Sequence, residues 1–316
     1  LYLGGRQFKV YRSDEFWSWY ERLRQRYRDF RVAFDPDHQP EDAPGDHGPW
    51  APLIQQHLDD KRDLTLVAGM RQSQRSKLLS AGIHNIDALA SWPNGDLIAG
   101  LDPVMLTRLR DQAQIQLASE QRSDGVPAFK VRPNTQQAKG LAMLPAPDTG
   151  DIWFDMEGYP DPVSGEKLEY LFGACYRDTA DTHPVFKAWW AHTPEEEKAA
   201  FAAWVDWVED RRRSHPGLHV YHYAAYEKTA MRRLAQQHAT REIEIDNWLS
   251  NGLLVDLLPV VTSSIVLGEP SYSIKKVEHL YMEQREAGVT NAGDSVVAYL
   301  HWHLSDEPQV PGEAPT

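Results

Sequence analysis

Two acidic residues in the strand-like segment 151–158, Asp-Ile-Trp-Phe-Asp-Met-Glu-Gly, are the most informative candidates for chemistry. Side chains alternate across a strand, so the even-numbered, apolar residues predict a core face, whereas Asp155 and Glu157 project together from the other face. Two such carboxylates repel each other unless a cation neutralises them, and Mg²⁺ and Mn²⁺ prefer oxygen ligands. The segment therefore predicts a divalent-metal site. The alternative is a strand that emerges at the surface with solvated acids.

Two further acids follow later strand-like segments. Glu227 lies in the first turn of a predicted helix after strand 218–223, close to where Asp155 should emerge, although acids also favour helix N-termini for electrostatic reasons. Asp256 is a lone acid in the apolar run Leu-Leu-Val-Asp-Leu-Leu-Pro-Val-Val, and a buried acid must be paired, protonated or metal-bound. Lys275 and Lys276 follow on a predicted helix and are candidate phosphate contacts; the alternative, for at least one of them, is a solvated face.

The segment 51–124 reads as all-helical and carries a second candidate phosphate surface. Glycines at 69 and 82 separate short predicted helices, and the N-terminus of the helix after the first turn lies near Arg71, Arg75 and Lys77. This pattern is similar to helix-hairpin-helix modules that grip nucleic-acid backbones. A helical spacer that uses the same turns for packing is the alternative.

The elements that must position these residues form an α/β pattern. Strands are predicted at 151–158, 169–176, 185–190 and 218–223, the first three pairing antiparallel, with helices at 194–213 and 226–238. Thr193, Pro194 and Glu196 predict the start of the first of these helices as a capping box. The fold class is therefore a mixed sheet covered by helices. Near the N-terminus, a hairpin over 1–12 and a basic helix over 13–30, capped by Ser13, are predicted.

Composition narrows the function classes. The 316 residues include 46 acids against 33 Lys and Arg, a net charge of −13, which disfavours indiscriminate phosphate binding but permits carboxylates that hold metal. The single cysteine, Cys175, excludes a disulfide framework and a thiolate cluster. The most apolar stretch, 253–267, is too short for a membrane span, and no signal peptide is evident, so we expect a cytoplasmic protein without membrane contact.

Residues 151–300 resemble the YprB-type ribonuclease H-like domain, a relative of the Asp-Glu-Asp-Asp (DnaQ-like) 3′–5′ exonucleases. Asp155 and Glu157 match the first exonuclease motif. The stretch 221–227 resembles the second motif, Asn-x-x-Phe-Asp, with Glu227 in place of Asp. The segments Val-Asp-Leu-Leu-Pro-Val-Val, which contains Asp256, and Ser-Tyr-Ser-Ile-Lys-Lys-Val-Glu resemble the intervening family segments.

More closely, the whole chain resembles part of the bacterial RecB-like nucleases that carry this domain at the C-terminus. The resemblance implies a RecB-like tail (1–33), a linker (34–50), a helix-hairpin-helix-like domain (51–124), a second linker (125–150) and a ribonuclease H-like domain (151–316). The third exonuclease motif is absent, and neither Asp294 nor Asp306 lies in a matching pattern. We therefore expect an internal part of a longer protein that holds three of four metal-site acids.

The resemblance also implies a reaction. Two Mg²⁺ or Mn²⁺ ions would hydrolyse a phosphodiester of DNA or RNA at a single-stranded end, with Asp155 bridging both ions, Glu157 binding one, Glu227 binding the other, and Asp256 as a further metal-site residue. A helicase or repair protein is the implied partner. The alternative function is a catalytically inactive module that binds nucleic acid or docks a partner, which the missing acid and the Glu at position 227 favour.

Overall fold

The computed structural model describes residues 12–35, 47–133, 139–160, 167–179, 182–282 and 292–303. The chain divides into two compact units, one of residues 1–61 with 161–166, the other of 62–160 with 167–316. The predicted hairpin over 1–12 lies almost entirely outside the described residues. No helix in the described ranges is both long and apolar enough to cross a membrane.

The first unit contains helices α1 (Ser13–Ala33) and α2 (Ala51–Asp60). The predicted basic helix is confirmed, but Ser13 is its first residue; the N-cap position belongs to Arg12, which makes no side-chain cap hydrogen bond. None of the residues of α1 is buried.

The second unit begins with a small helical core. It contains α3 (Gln72–Ser80), α4 (Ile86–Ala90) and α5 (Pro103–Glu120). The two predicted glycine turns are confirmed, because Gly69 and Gly82 adopt φ of +81° and +80°, a region that residues with a Cβ resist. These turns bring buried aliphatic side chains of consecutive elements together, among them Leu64, Leu78 and Leu109.

The segment 125–150, predicted as a linker, contains ordered pairing. Strand β1 (Phe129–Val131) pairs antiparallel with a strand far along the chain, residues Ile265–Leu267, and Gly140–Met143 form a short 3₁₀ turn. The Gln112 side chain donates to the carbonyl of Leu267 at 2.6 Å. The helical core is thereby tied to the α/β part of the same unit.

A mixed sheet of five strands organises the rest of the described residues in this unit. Its strands are β2 (Ile152–Pro160), β3 (Lys167–Tyr176), β4 (Val185–Trp190), β5 (Val220–His222) and β6 (Leu254–Asp256), in the order β4-β3-β2-β5-β6. The first three pair antiparallel, as predicted, and β5 runs parallel to β2 and β6. The helices are α6 (Pro194–Ser214), α7 (Tyr226–His238), α8 (Glu242–Ser250), α9 (Leu257–Ser264), α10 (Ile274–Val277) and α11 (Ala292–His303); Ile265–Leu267 is β7.

One face of the sheet supplies the main core. Apolar side chains of β2 and β3 pack against α6, α7 and α8, and Trp204 stacks on Phe154 at a centroid separation of 4.1 Å. The start of α6 follows the prediction in part: Thr193 accepts from the backbone N–H of Glu196, but the Glu196 carboxylate accepts from His192 rather than from Thr193. The α/β fold with a helical N-terminal region, which the resemblance implies, is confirmed.

Candidate functional site

Strand β2 presents its two acids on one face, as its alternation predicts. Its even-numbered residues from Ile152 to Met156 are buried, whereas Trp153 and Asp155 are exposed and Glu157 is partly exposed. The acids thus lie opposite the packed core, on a face that reaches solvent.

Glu227 is brought to the same place by the parallel pairing of β5 with β2. Because both strands run in the same direction, the turn after β5 emerges beside Asp155, and α7 begins there. Glu227, in the first turn of α7, is only 3% exposed, and its carboxylate is close enough to raise the pKa of Asp155. The two acids, 72 positions apart in the sequence (227 − 155), are neighbours in the fold.

The electrostatics of the carboxylates follow from this crowding. Although Asp155 reaches solvent, partial loss of hydration of its carboxyl group raises its pKa, and the Glu227 charge raises this pKa further. A hydrogen bond from the Met156 N–H to Oδ1 (2.9 Å) opposes the change. Loss of hydration, followed by the Asp155 charge, likewise raises the pKa of Glu157. The Lys275 ammonium acts on both carboxylates in the opposite direction, so α10 carries a cation close to the acids.

Two buried polar groups beside Asp155 have unmet hydrogen-bonding capacity. His222 Nδ1 lies 3.2 Å from Glu227 Oε2, yet the alignment is too poor for a hydrogen bond, and both atoms lack a hydrogen-bond partner. A buried carboxylate oxygen without a donor is costly, and a hard cation would satisfy it. Within the described ranges, however, no group of three or more His, Cys, Asp and Glu side chains is placed to hold a metal ion. The fit to a divalent ion rests on Asp155 and Glu227, with Glu157 on the same face.

Asp256 has a different environment from the other acids. It lies beside His222 in the β5–β6 register, and its Oδ1 accepts from the backbone N–H groups of Ala224 and Leu258, both at 2.9 Å. Ala224 has φ of +72°, a left-handed conformation that is strained for alanine. Asp256 therefore stabilises the turn that leads into α7 and caps α9, contacts that the sequence did not predict.

The predicted cationic residues divide into different environments. Lys276 pairs with Glu269 at 3.1 Å, whereas Lys275 acts electrostatically on Asp155 and Glu157. In the helical core, Arg71 and Lys77 are exposed, and the Lys77 ammonium donates to the Gly100 carbonyl.

The environment of Arg75 does not favour its prediction as a phosphate contact. Its side chain is buried, and its guanidinium donates through Nε and Nη2 to both carboxylate oxygens of Asp63, at 2.9 and 2.7 Å. One turn of α3 therefore separates an exposed Arg71 from an Arg75 that points into the core. Sequence spacing predicted that Arg71 and Arg75 lie near the same turn. It could not show that Arg75 points inward, because that depends on the position of Asp63.

A recess on the open face of the sheet contains the first two acids. Its volume is about 440 Å³, and its lining includes Trp153, Asp155, Glu157, Phe186, Tyr223 and Ile274. The recess is bordered by aromatic and aliphatic side chains on β2, β4 and β5 and by the segment that carries Lys275. Asp294 lies in α11, but its side chain, like the whole of Asp306, lies outside the described residues.

One acid close to the site was missed at the sequence level. Glu169, in β3, is fully buried and accepts a hydrogen bond from the Tyr226 hydroxyl at 2.7 Å. The sequence does contain a pattern that indicates a buried acid here. Glu169 begins the apolar strand Glu-Tyr-Leu-Phe-Gly-Ala-Cys-Tyr, and Asp256 likewise lies in an apolar run.

Comparison with known families agrees with this architecture. The family model of the RNase H superfamily matches residues 152–311, just over half of the chain, and the chain belongs to that superfamily. The match covers the sheet, the recess and every acid discussed above except Asp63. No curated protein and no solved structure shows significant similarity to the chain. Superfamily membership points to nuclease-type activity on nucleic acid, for which divalent metal ions are the usual cofactors.

Proposed function

We propose that this chain is a divalent-metal-dependent nuclease of the 3′–5′ exonuclease type that hydrolyses phosphodiester bonds at a single-stranded end of DNA or RNA. The observation that carries the proposal is that the parallel pairing of β5 with β2 brings the buried Glu227, at the start of α7, to the edge of the sheet where Asp155 emerges, and that one buried Glu227 oxygen has no hydrogen-bond partner. Two neighbouring carboxylates repel each other when both are ionised. A bound divalent cation removes this repulsion, so such a pair favours metal binding.

Each residue has a part in this proposal. Asp155 and Glu227 would hold Mg²⁺ or Mn²⁺, and Glu157 would contribute from the same face of β2. Bound divalent ions supply a lowered pKa for the attacking water and neutralise charge on the phosphate and the leaving oxygen. Lys275 orients the scissile phosphate, because its ammonium already interacts with both β2 carboxylates. Asp256 supports the turn that carries Glu227.

The finer relationships belong to the same proposal. We infer that residues 151–316 are a YprB-type domain and that the preceding residues are the tail and helical linker of a RecB-like nuclease, with boundaries at 33, 50, 124 and 150. Arg71, Lys77 and Lys276 would then contact the nucleic-acid backbone away from the cleaved bond. A helicase or repair protein is the partner that this organisation favours.

The test is degradation of labelled single-stranded DNA and RNA in Mn²⁺, with the label at either end to report polarity. Asp155→Asn keeps the acceptor for the Met156 N–H but removes the charge, and we expect cleavage to fall to the level of chelator-treated wild type. The matched control is Asp206→Asn, which removes an exposed acid paired with Arg241 at 2.7 Å and should leave cleavage unchanged.

A binding measurement separates the proposal from its alternative. Mn²⁺ at about 100 times its Kd stabilises a folded protein by about 2.7 kcal/mol, or about 5–11 °C in Tm for a domain of this size. Wild type should show this shift and Asp155→Asn should not. A folded wild type that binds nucleic acid but neither cleaves it nor responds to Mn²⁺ would establish the inactive binding module instead.

A further inference from the structure

Glu169 is a buried carboxylate that the proposed reaction does not use. It is fully inaccessible, and it interacts with three side chains: the Tyr226 hydroxyl, the Arg233 guanidinium and, at 3.4 Å, the Lys167 ammonium. Its backbone N–H donates to the buried carboxylate of Glu197 at 2.6 Å. These partners constrain the position of the buried Glu169 carboxylate, because movement of the carboxylate would break its hydrogen bonds and ion pairs.

An irregularity in the sheet makes room for this side chain. The register of β2 with β3 shifts between Glu157 and Gly158, so that Glu157 faces Leu171 and Gly158 faces Glu169. A Cβ at position 158 would lie 2.8 Å from Glu169 Cδ and closer still to Oε2. The bulge directly follows the second acid of β2, which is where bulges commonly redirect side chains at functional sites.

The contact with Tyr226 links Glu169 to the proposed metal site. Tyr226 is the first residue of α7 and directly precedes Glu227. The N-cap position is Ala225, which has no side chain able to cap, and the preceding Ala224 is strained. The Tyr226 hydroxyl donates to Glu169 Oε2 at 2.7 Å. The Lys167 ammonium, which pairs with Glu169, also lies over the Tyr226 ring, 4.0 Å from its centre.

We propose that Glu169 is a positioning residue, which holds Tyr226 and thereby the first turn of α7 so that the Glu227 carboxylate meets Asp155. The proposal deepens the proposed function and rests on it for its catalytic meaning. The structural part of the proposal does not require a metal ion. It states that the position of the Glu227 carboxylate depends on Glu169.

The first measurement is the carboxyl ¹³C resonance of Glu227 in metal-free protein, assigned with Glu227→Gln. Glu169→Gln should shift or broaden this resonance. Tyr226→Phe should do the same while leaving the Glu169–Arg233 pair intact, and it serves as the second variant should Glu169→Gln fail to fold. An unchanged Glu227 resonance in folded Tyr226→Phe would overturn the proposal.

Glu209→Gln is the matched control. Glu209 also accepts from an aromatic donor and an arginine, Trp248 Nε1 and Arg212, each at 2.6 Å, but it joins α6 to α8 away from the recess. Glu209→Gln should lower stability and leave the Glu227 resonance in place. If Glu209→Gln perturbs the Glu227 resonance equally, the effect reflects general destabilisation of the fold, and the proposed role of Glu169 is refuted.

The second measurement is the Mn²⁺ concentration that gives half-maximal cleavage. Residues that orient metal ligands change metal affinity by about 10–100-fold, so Tyr226→Phe should raise this concentration about tenfold, with KM for the nucleic acid unchanged. A higher KM with unchanged Mn²⁺ dependence would contradict positioning. If the Glu227 resonance responds as expected but wild type neither binds Mn²⁺ nor cleaves nucleic acid, the proposed function is wrong, whereas the positioning role of Glu169 is supported.

Discussion

Replacing Gly158 by alanine tests the packing around Glu169 directly, because atoms of Leu168 and Glu169 occupy the space that the new Cβ needs. The added Cβ would lie 2.9 Å from the Leu168 carbonyl oxygen, a backbone atom, and 2.8 Å from Glu169 Cδ. The Glu169 carboxylate cannot simply swing away, since it is fully buried and bound to Tyr226 and Arg233. Relief therefore requires either movement of β3 or loss of buried hydrogen bonds.

The magnitude follows from these two routes. Overpacking a well-packed site costs about 1–3 kcal/mol, and disturbing a buried charge places the substitution at the upper end. We expect Gly158→Ala to lower the free energy of unfolding by about 2–3 kcal/mol, or about 4–12 °C in Tm for a domain of 150–250 residues.

The matched control is Gly173→Ala in the neighbouring strand. There the new Cβ would lie 3.1 Å from the Phe186 ring, which is 64% exposed and free to rotate outward. Removing a glycine also reduces the entropy of the unfolded chain, so this substitution should change stability by less than about 1 kcal/mol. Urea unfolding of both variants measures the difference. Equal costs at the two positions, or a cost below about 0.5 kcal/mol for Gly158→Ala, would refute the reasoning about Glu169.

Two other predictions concern the charges. In chelator at pH 7, Asp155→Asn should raise Tm, because the folded state holds the Asp155 proton more tightly than the unfolded chain. The penalty of ionisation is fully present above the raised folded-state pKa and disappears as the pH falls toward the ordinary value of 3.8, so the gain should shrink in acid; a gain that grows in acid would contradict the assigned cause. In the helical core, Arg75→Met should lower the free energy of unfolding by about 3–5 kcal/mol, since it leaves the buried Asp63 carboxylate without its cation. Arg71→Ala should cost little stability and weaken nucleic-acid binding; the reverse pattern in urea unfolding and filter binding would restore Arg75 as a surface contact.

The sequence alone determined the features that depend on local periodicity. Alternation along 151–158 predicted that Asp155 and Glu157 share one face, and the glycines at 69 and 82 predicted their turns. The helix at Pro194 followed from Thr193 and from proline at its first position. Each of these follows from residues within one or two turns of chain, where geometry leaves few alternatives.

Only the tertiary structure decided which partner each charged side chain found. Arg75 pairs with a carboxylate 12 residues away, Asp256 accepts from an N–H 32 residues away, and Glu169 accepts from a hydroxyl 57 residues away. No periodicity encodes such pairings, because they depend on strand order and on the β2–β3 bulge. The sequence predicted that Asp155 and Glu157 share a face and that Glu227 lies near them, but Glu227 reaches Asp155 only because β5 runs parallel beside β2.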